Sequence, residues 1–175
     1  SFENSVGKSD LIELDIQFTK DYVPVVFHDE TLTRTSNIKS FKEYAHIKPY
    51  NICDFEYVDL LKLDLSSWFH KTDDIKKQTI LTLDEVLDFA IKNKTYLNIE
   101  IKDISNTKVH SVAVEEIYNC LKRKKYEDKV LISSFNHDYL KEFKKINPSI
   151  STAVLVHKFH PNNLVQYLKE LDVCA

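Results

Sequence analysis

From Leu81 onward, segments with strand patterning alternate with segments of helical spacing. Thr82-Leu83-Asp84-Glu85 has the spacing of a capping box, and Val86, Leu87, Phe89, Ala90 and Ile91 follow at helical intervals. Residues 96–102 then read as a strand. Residues 107–124 read as a helix with Val109, Val112, Ala113, Ile117 and Leu121 on one face. Residues 130–135 form a further strand, and residues 138–145 a short helix stopped near Pro148. A strand over 152–156 and a helix over 161–171 follow, and residues 172–175 can open one more strand. Strand and helix in this alternation predict an α/β fold with parallel strands.

Ahead of that alternation the pattern changes. Glu13 and Asp15 stand two residues apart in Leu11-Ile12-Glu13-Leu14-Asp15-Ile16. In a strand such residues share one face. Like charges on one face of an otherwise apolar strand repel. They are tolerated where water covers them or a cation sits between them. Residues 19–22 read as a tight turn and residues 23–27 as a returning strand. A loop of about four residues is too short for the crossover that parallel neighbours need, so the pair is predicted to be an antiparallel hairpin. Its return brings His28 opposite Asp15, within a residue or so. Two carboxylates and an imidazole then meet at one mouth. Pro24 lacks an N–H, which predicts an edge or an excursion for the returning strand, not a central position. The same spacing also fits a half-exposed hairpin with its polar residues in water.

A second group of polar residues lies on the strand at Asn98. Asn98, Glu100 and Lys102 share one face, and Leu97, Ile99 and Ile101 share the other. Strands of parallel sheets are usually covered on both faces and read as apolar runs. Polar residues at the C-terminal end of such a strand occupy the place where barrel enzymes carry their catalytic groups. Three carboxylates with a lysine and a histidine make an oxygen-donor site suited to Mg²⁺ or Ca²⁺, and Lys102 suits an anionic substrate. A strand-end ion pair between Glu100 and Lys102 with no chemical role is the competing reading.

The length of 175 residues is that of one domain or most of one. A net charge of −3 provides no global attraction to nucleic acid or to an anionic membrane. The lysines of residues 122–125 and 141–145 read as solvated helix faces. The three cysteines, Cys53, Cys120 and Cys174, are far apart. That argues against a disulfide framework or a structural zinc site and for a reducing, cytoplasmic compartment. No apolar run approaches the roughly 18 residues of a membrane span. Residues 31–79 lack regular periodicity and read as an insertion with short helices. The chain has one glycine, Gly7, and no methionine. Average glycine usage is about 7% and concentrates in loops. The scarcity predicts that segments of the polypeptide are absent from these residues.

The run Ile12-Glu13-Leu14-Asp15-Ile16-Gln17-Phe18-Thr19-Lys20-Asp21, then Val23-Pro24-Val25-Val26-Phe27-His28-Asp29-Glu30-Thr31-Leu32, then Arg34-Thr35, closely resembles the glycerophosphodiester phosphodiesterase family. The likeness continues in order through Ser67-Trp68-Phe69, Leu81-Thr82-Leu83-Asp84-Glu85-Val86-Leu87, Leu97-Asn98-Ile99-Glu100-Ile101-Lys102 and Ser133-Ser134-Phe135. The hairpin motif is long and specific, and the others are short.

The resemblance implies a (β/α)8 TIM barrel: a single phosphodiesterase domain over residues 1–175, with residues 31–79 inserted after an N-terminal hairpin. It implies hydrolysis of glycerophosphodiesters to glycerol 3-phosphate and an alcohol, with a divalent cation, Ca²⁺ or Mg²⁺. Glu13, Asp15 and Glu100 match the family's metal-binding carboxylates. His28 matches one of its two catalytic histidines, and Lys102 matches a lysine near the phosphate. Two alternatives stand beside this activity. One is cleavage of phospholipids or lysophospholipids, with an apolar lip at Trp68 and Phe69. The other is a non-catalytic member that binds an anionic ligand or partner. The family's other histidine lies in a His-Arg-Gly motif followed by Glu-Asn-Thr, and Glu3-Asn4-Ser5 imitates the latter too close to Glu13 to match it. Tyr22 stands where the family carries glycine at the hairpin turn. With too few strands to close a barrel, these departures predict a polypeptide that continues beyond both ends and across internal gaps.

Overall fold

The structure is a computed structural model that describes residues 2–66, 68–69, 76–158 and 162–175. Ser67 of the Ser-Trp-Phe match, residues 70–75 of the expected insertion and Pro161 of the expected last helix lie outside the described residues.

The described residues build one six-stranded sheet. Its strands are β1 (Leu11–Phe18), β2 (Pro24–Val26), β3 (Leu81–Thr82), β4 (Tyr96–Ile101), β5 (Val130–Ser134) and β6 (Ser151–Val154). Their spatial order is β3-β2-β1-β4-β5-β6. The pairs β1–β4, β4–β5 and β5–β6 are parallel, and β2 runs antiparallel to both β1 and β3. The helices are α1 (Tyr57–Leu60), α2 (Leu83–Asn93), α3 (Ala113–Lys124), α4 (His137–Ile146) and α5 (Leu164–Glu170). Parallel strands joined through helices form a continuous sector of a (β/α)8 barrel.

Local signals explain where the helices begin and end. Thr82 Oγ1 accepts from the Glu85 N–H at 3.2 Å, and Glu85 Oε2 accepts from the Thr82 N–H at 2.7 Å, so the capping box forms as read. Asn136 caps α4 by accepting from the Asp138 N–H at 3.2 Å. Glu115 and Glu116 in the first turn of α3, and Lys122, Arg123 and Lys124 in its last, complement the helix dipole. The expected helix over 107–124 is split: a 3₁₀ turn at His110–Val112 precedes α3.

Two further expectations need correction or refinement. The returning strand β2 is not an edge, because it lies between β1 and β3. Pro24 is its first residue, and the pairing with β3 starts at Val25, so the missing N–H falls outside that ladder. The last expected strand appears only as backbone contacts along β6. The Cys174 N–H donates to Thr152 O and the Val154 N–H to Ala175 O, both at 2.9 Å.

The sheet's two faces differ. Ile12, Leu14 and Ile16 of β1 and Leu97, Ile99 and Ile101 of β4 pack with Leu87, Ile117, Leu121 and Leu140 of the helices in one buried core. The intervening positions, Glu13, Asp15, Asn98 and Glu100, point to the opposite face. A second apolar cluster forms between β2 and Ile80, with Leu32, Ile38, Tyr44, Ile52, Phe55 and Leu60 packed on Val25 and Phe27. It seats the 3₁₀ turns and α1 of the stretch after the hairpin. Cys53, Cys120 and Cys174 are free thiols. No helix among the described residues is long and apolar enough to cross a membrane.

Candidate active site

Register places the carboxylates. Glu13 pairs with Asn98 and Asp15 with Glu100 across the parallel β1–β4 ladder, and Glu100 pairs with Ser133 across β4–β5. Residues in register on one face bring their side chains together. One ligand oxygen from each of Glu13, Asp15 and Glu100 lies within 4.8 Å of the others. Lys102 follows β4 directly, and its N–H extends the ladder to Ile16 O at 3.2 Å. Its ammonium lies 2.7 Å from Asp15 Oδ1 and donates to Glu100 Oε1 at 2.8 Å. The ion pair weighed as an inert alternative is therefore present, but inside the carboxylate cluster and shared with Asp15.

The electrostatics follow from three carboxylates facing one ammonium. Burial first, then the charges of Asp15 and Glu100, push the Glu13 carboxyl above its usual range. Burial opposes the charge on Lys102, but hydrogen bonds to Asp15 and Glu100 outweigh it and hold the ammonium above the usual lysine range. The donor set fits a hard divalent cation: three carboxylates, with their excess negative charge only partly balanced. Two buried polar atoms beside it, Asn98 Oδ1 and Ser133 Oγ, lack a hydrogen-bond partner among the described residues. A hydrated ligand at the cluster would satisfy such atoms.

The hairpin brings the histidine back. Thr19 Oγ1 accepts from the Val23 N–H at 2.9 Å and donates to Asp21 Oδ1 at 2.6 Å, which closes the turn. Tyr22 takes the left-handed conformation there, with φ 65°. Ile16 then faces Val26, and the Phe27 N–H donates to Asp15 O at 3.0 Å, one residue short of His28. His28 lines a cleft of about 420 Å³ together with Glu13, Asp15, Asp29, Arg34 and Trp68. That volume is within the range of small-molecule sites.

Asp29 and Arg34 stand in the resembling motifs without an assigned role, and the structure brings them to the same cleft as Trp68, one of the two residues expected to form an apolar lip. The Asp29 carboxylate faces the His28 ring, with Oδ1 3.1 Å from Nδ1. It also accepts from Arg34 Nη2 at 2.5 Å and Nε at 2.8 Å. Arg34 above all holds the Asp29 carboxyl below the usual carboxylate range. The Arg34 guanidinium lies 5.3 Å from the centroid of the Trp68 ring. The adjacency of His28 and Asp29 and the nearby Arg34 were the available signals. Spacing alone gave them no partner.

Comparison with known proteins agrees with this geometry. Residues 1–174 match the glycerophosphoryl diester phosphodiesterase family. A glycerophosphodiester phosphodiesterase of Bacillus altitudinis is 35% identical over 158 residues, covering 89% of this chain and 58% of its own length. One from Caldanaerobacter subterraneus subsp. tengcongensis is 35% identical over 147 residues, covering 84% of this chain and 55% of its own length. A phosphodiesterase from Oleispira antarctica, solved in complex with the product sn-glycerol-3-phosphate, superposes with a TM-score of 0.77 at 27% identity, over 94% of this chain and 61% of that one. The chain thus spans little more than half the length of these relatives. With a match over residues 1–174 and a barrel sector that superposes on a solved phosphodiesterase, the chain belongs to the glycerophosphoryl diester phosphodiesterase family.

Proposed function

We propose that this protein hydrolyses glycerophosphodiesters to sn-glycerol 3-phosphate and an alcohol, with Glu13, Asp15 and Glu100 as ligands of one divalent cation. The observation that carries the reading is the meeting of these carboxylates with His28 at one cleft. The Oleispira relative supports it through its bound product.

The chemistry asks for little beyond charge and proton management. A phosphodiester is an anion and repels an oxygen nucleophile. A cation held by the three carboxylates, Ca²⁺ or Mg²⁺, supplies positive charge to the phosphate oxygens as negative charge develops there. Lys102, held between Asp15 and Glu100, adds an ammonium on the same side and contributes to binding the phosphate. Attack of the nucleophile's oxygen forms one P–O bond and breaks the bond to the departing alcohol. The nucleophile loses a proton and the alkoxide gains one. His28 carries one of these transfers, a role suited to an imidazole because its ring can both accept and donate a proton.

The test is direct. The protein, supplied with Mg²⁺ or Ca²⁺, should release choline and glycerol 3-phosphate from glycerophosphocholine, and a chelator should stop it. Binding of the diester with no product under either cation would leave the non-catalytic reading. One observation favours cleavage of lysophospholipids as a second reading. Trp68 and Phe69 are 48% and 66% exposed, in edge contact at 5.5 Å, with Trp68 lining the cleft. A higher kcat/KM for lysophosphatidylcholine than for glycerophosphocholine would establish it.

A further inference from the structure

We infer that Asp29 is a positioning residue that fixes the tautomer and orientation of His28, and that Arg34, seated on Trp68, holds Asp29 in place. The inference rests on the proposed catalytic role of His28 and adds which ring nitrogen faces the reaction.

The histidine needs such a device. Its side chain is 73% exposed, and no packing fixes a ring that open. An exposed imidazole samples both neutral tautomers and several rotamers, so the nitrogen facing the cleft would change from moment to moment. Two groups of contacts remove that freedom. The first clamps the backbone. Gln17, buried in β1, donates through Nε2 to Phe27 O at 3.0 Å and to Asp29 O at 2.6 Å. One amide group thus grips the chain on both sides of His28. Gln17 lies next to Ile16, which faces Val26, so strand register supplies the grip.

The second group of contacts acts on the ring. An ionised carboxylate only accepts hydrogen bonds. Asp29 Oδ1 at 3.1 Å from Nδ1 therefore requires the ring proton on Nδ1, which leaves Nε2 with the lone pair that exchanges protons with substrate. Asp29 is itself only 13% exposed and accepts both arms of the Arg34 fork. That bidentate geometry sets the plane of the carboxylate, which a lysine could not do. The guanidinium in turn lies over Trp68. The order of support runs from Trp68 to Arg34 to Asp29 to His28, so the segment after the hairpin bears on the proton-transfer group. No covalent step is added to the reaction, because Asp29 keeps its charge and the proton exchanges at Nε2 alone.

The test uses the full-length protein with ¹⁵N-labelled histidine, in mildly alkaline buffer. The His28 signals are assigned by their loss in His28→Gln. Nitrogen–proton correlation should show Nδ1 protonated in the wild type. Asp29→Ala should move the proton to Nε2 and lower kcat about 10²-fold, with KM and the cation midpoint within about twofold of wild type. Arg34→Ala, at a 61% exposed side chain, should shift tautomer and kcat in the same direction by less. If Asp29→Ala does not fold, the Arg34 variant decides. A wild-type ring protonated on Nε2, or an unchanged tautomer in the folded variants, overturns the inference. So does a shifted tautomer with unchanged kcat. A wild type with no turnover would instead sink the phosphodiesterase reading, and the tautomer would still judge the contact with Asp29.

Discussion

Asp15 and Glu100 face each other in register across the parallel β1–β4 pair, and one ammonium, Lys102 Nζ, lies 2.7 Å from the first and 2.8 Å from the second. Both carboxylates are largely buried, so their mutual repulsion is little screened by water. Lys102 is what allows them to coexist without a cation. Lys102→Met should cost about 1–3 kcal/mol in chelator-treated protein, the range for buried groups left without their hydrogen-bond partner, because the ion pair is only partly buried, with the Lys102 side chain 25% exposed. Added Mg²⁺ or Ca²⁺ should restore most of that loss. Urea midpoints with and without cation measure both effects, and a variant as stable as wild type in chelator would contradict this account.

Glu13 has the opposite relationship to its neighbours. Burial, then Asp15 and Glu100, raise its carboxyl value, so the folded state disfavours its charged form. Replacing that charge by a neutral isostere should therefore stabilise the cation-free protein. Glu13→Gln is expected to raise Tm by about 1–2 °C in chelator. It should also abolish most of the cation-dependent rise in Tm. A variant that keeps the full cation response would remove Glu13 from the ligand set.

His28→Ala separates proton transfer from cation binding. Loss of a general acid or base costs about 10²–10⁴-fold in turnover. The cation-dependent rise in Tm should remain as in the wild type, because His28 faces Asp29 and is not one of the three clustered carboxylates. Turnover within a few-fold of wild type would end the proposed role.

Acid should loosen the segment after the hairpin through Asp64. Its carboxylate accepts from Ser66 Oγ at 2.6 Å, Ser66 N at 2.8 Å and Gln78 N at 3.3 Å, and the Ser66 hydroxyl most of all holds the carboxyl below its usual range. A carboxyl lowered on folding contributes stability that is complete above its unfolded value, about 3.9. That stability is lost as pH falls through the lower folded value. Trp68, the chain's single tryptophan, reports on this region because its Nε1 donates to Leu65 O at 3.0 Å. Trp68 fluorescence should change below about pH 4, with a weaker pH dependence in Asp64→Asn. Superimposable acid titrations of the two proteins would count against the assignment.

At the hairpin turn, Tyr22 carries φ 65°, a conformation that costs a non-glycine residue about 1–2 kcal/mol. Glycine adopts it freely but loses more backbone entropy on folding. Tyr22→Gly should therefore be stabilising by about 0.5–1 kcal/mol, read from the urea midpoint. A loss of stability would show that the Tyr22 ring makes a contact worth more than the strain.

Several features were determined by local sequence alone. The two-residue spacing of Glu13 and Asp15 places both on one face of a strand whatever surrounds it, because side chains alternate with period two. The Thr82–Glu85 capping box depends on bonds within one turn of α2, so its sequence is enough to locate it. A short turn forces an antiparallel return, which brought His28 within one residue of Asp15. Tertiary structure decided the rest. β3 reaches β2 from beyond a long irregular segment, and no local pattern announces that pairing or the interior place it gives a strand that starts with Pro24. The position of Lys102 between Asp15 and Glu100 depends on the β1–β4 register, which pairs residues 85 apart in the chain. The chain from Trp68 through Arg34 to Asp29 joins side chains of a segment without periodicity, where partners are chosen by packing around Val25 and Phe27 and not by spacing. Chemistry that depends on one strand face was therefore written locally, and the contacts that orient it arose only when distant segments packed together.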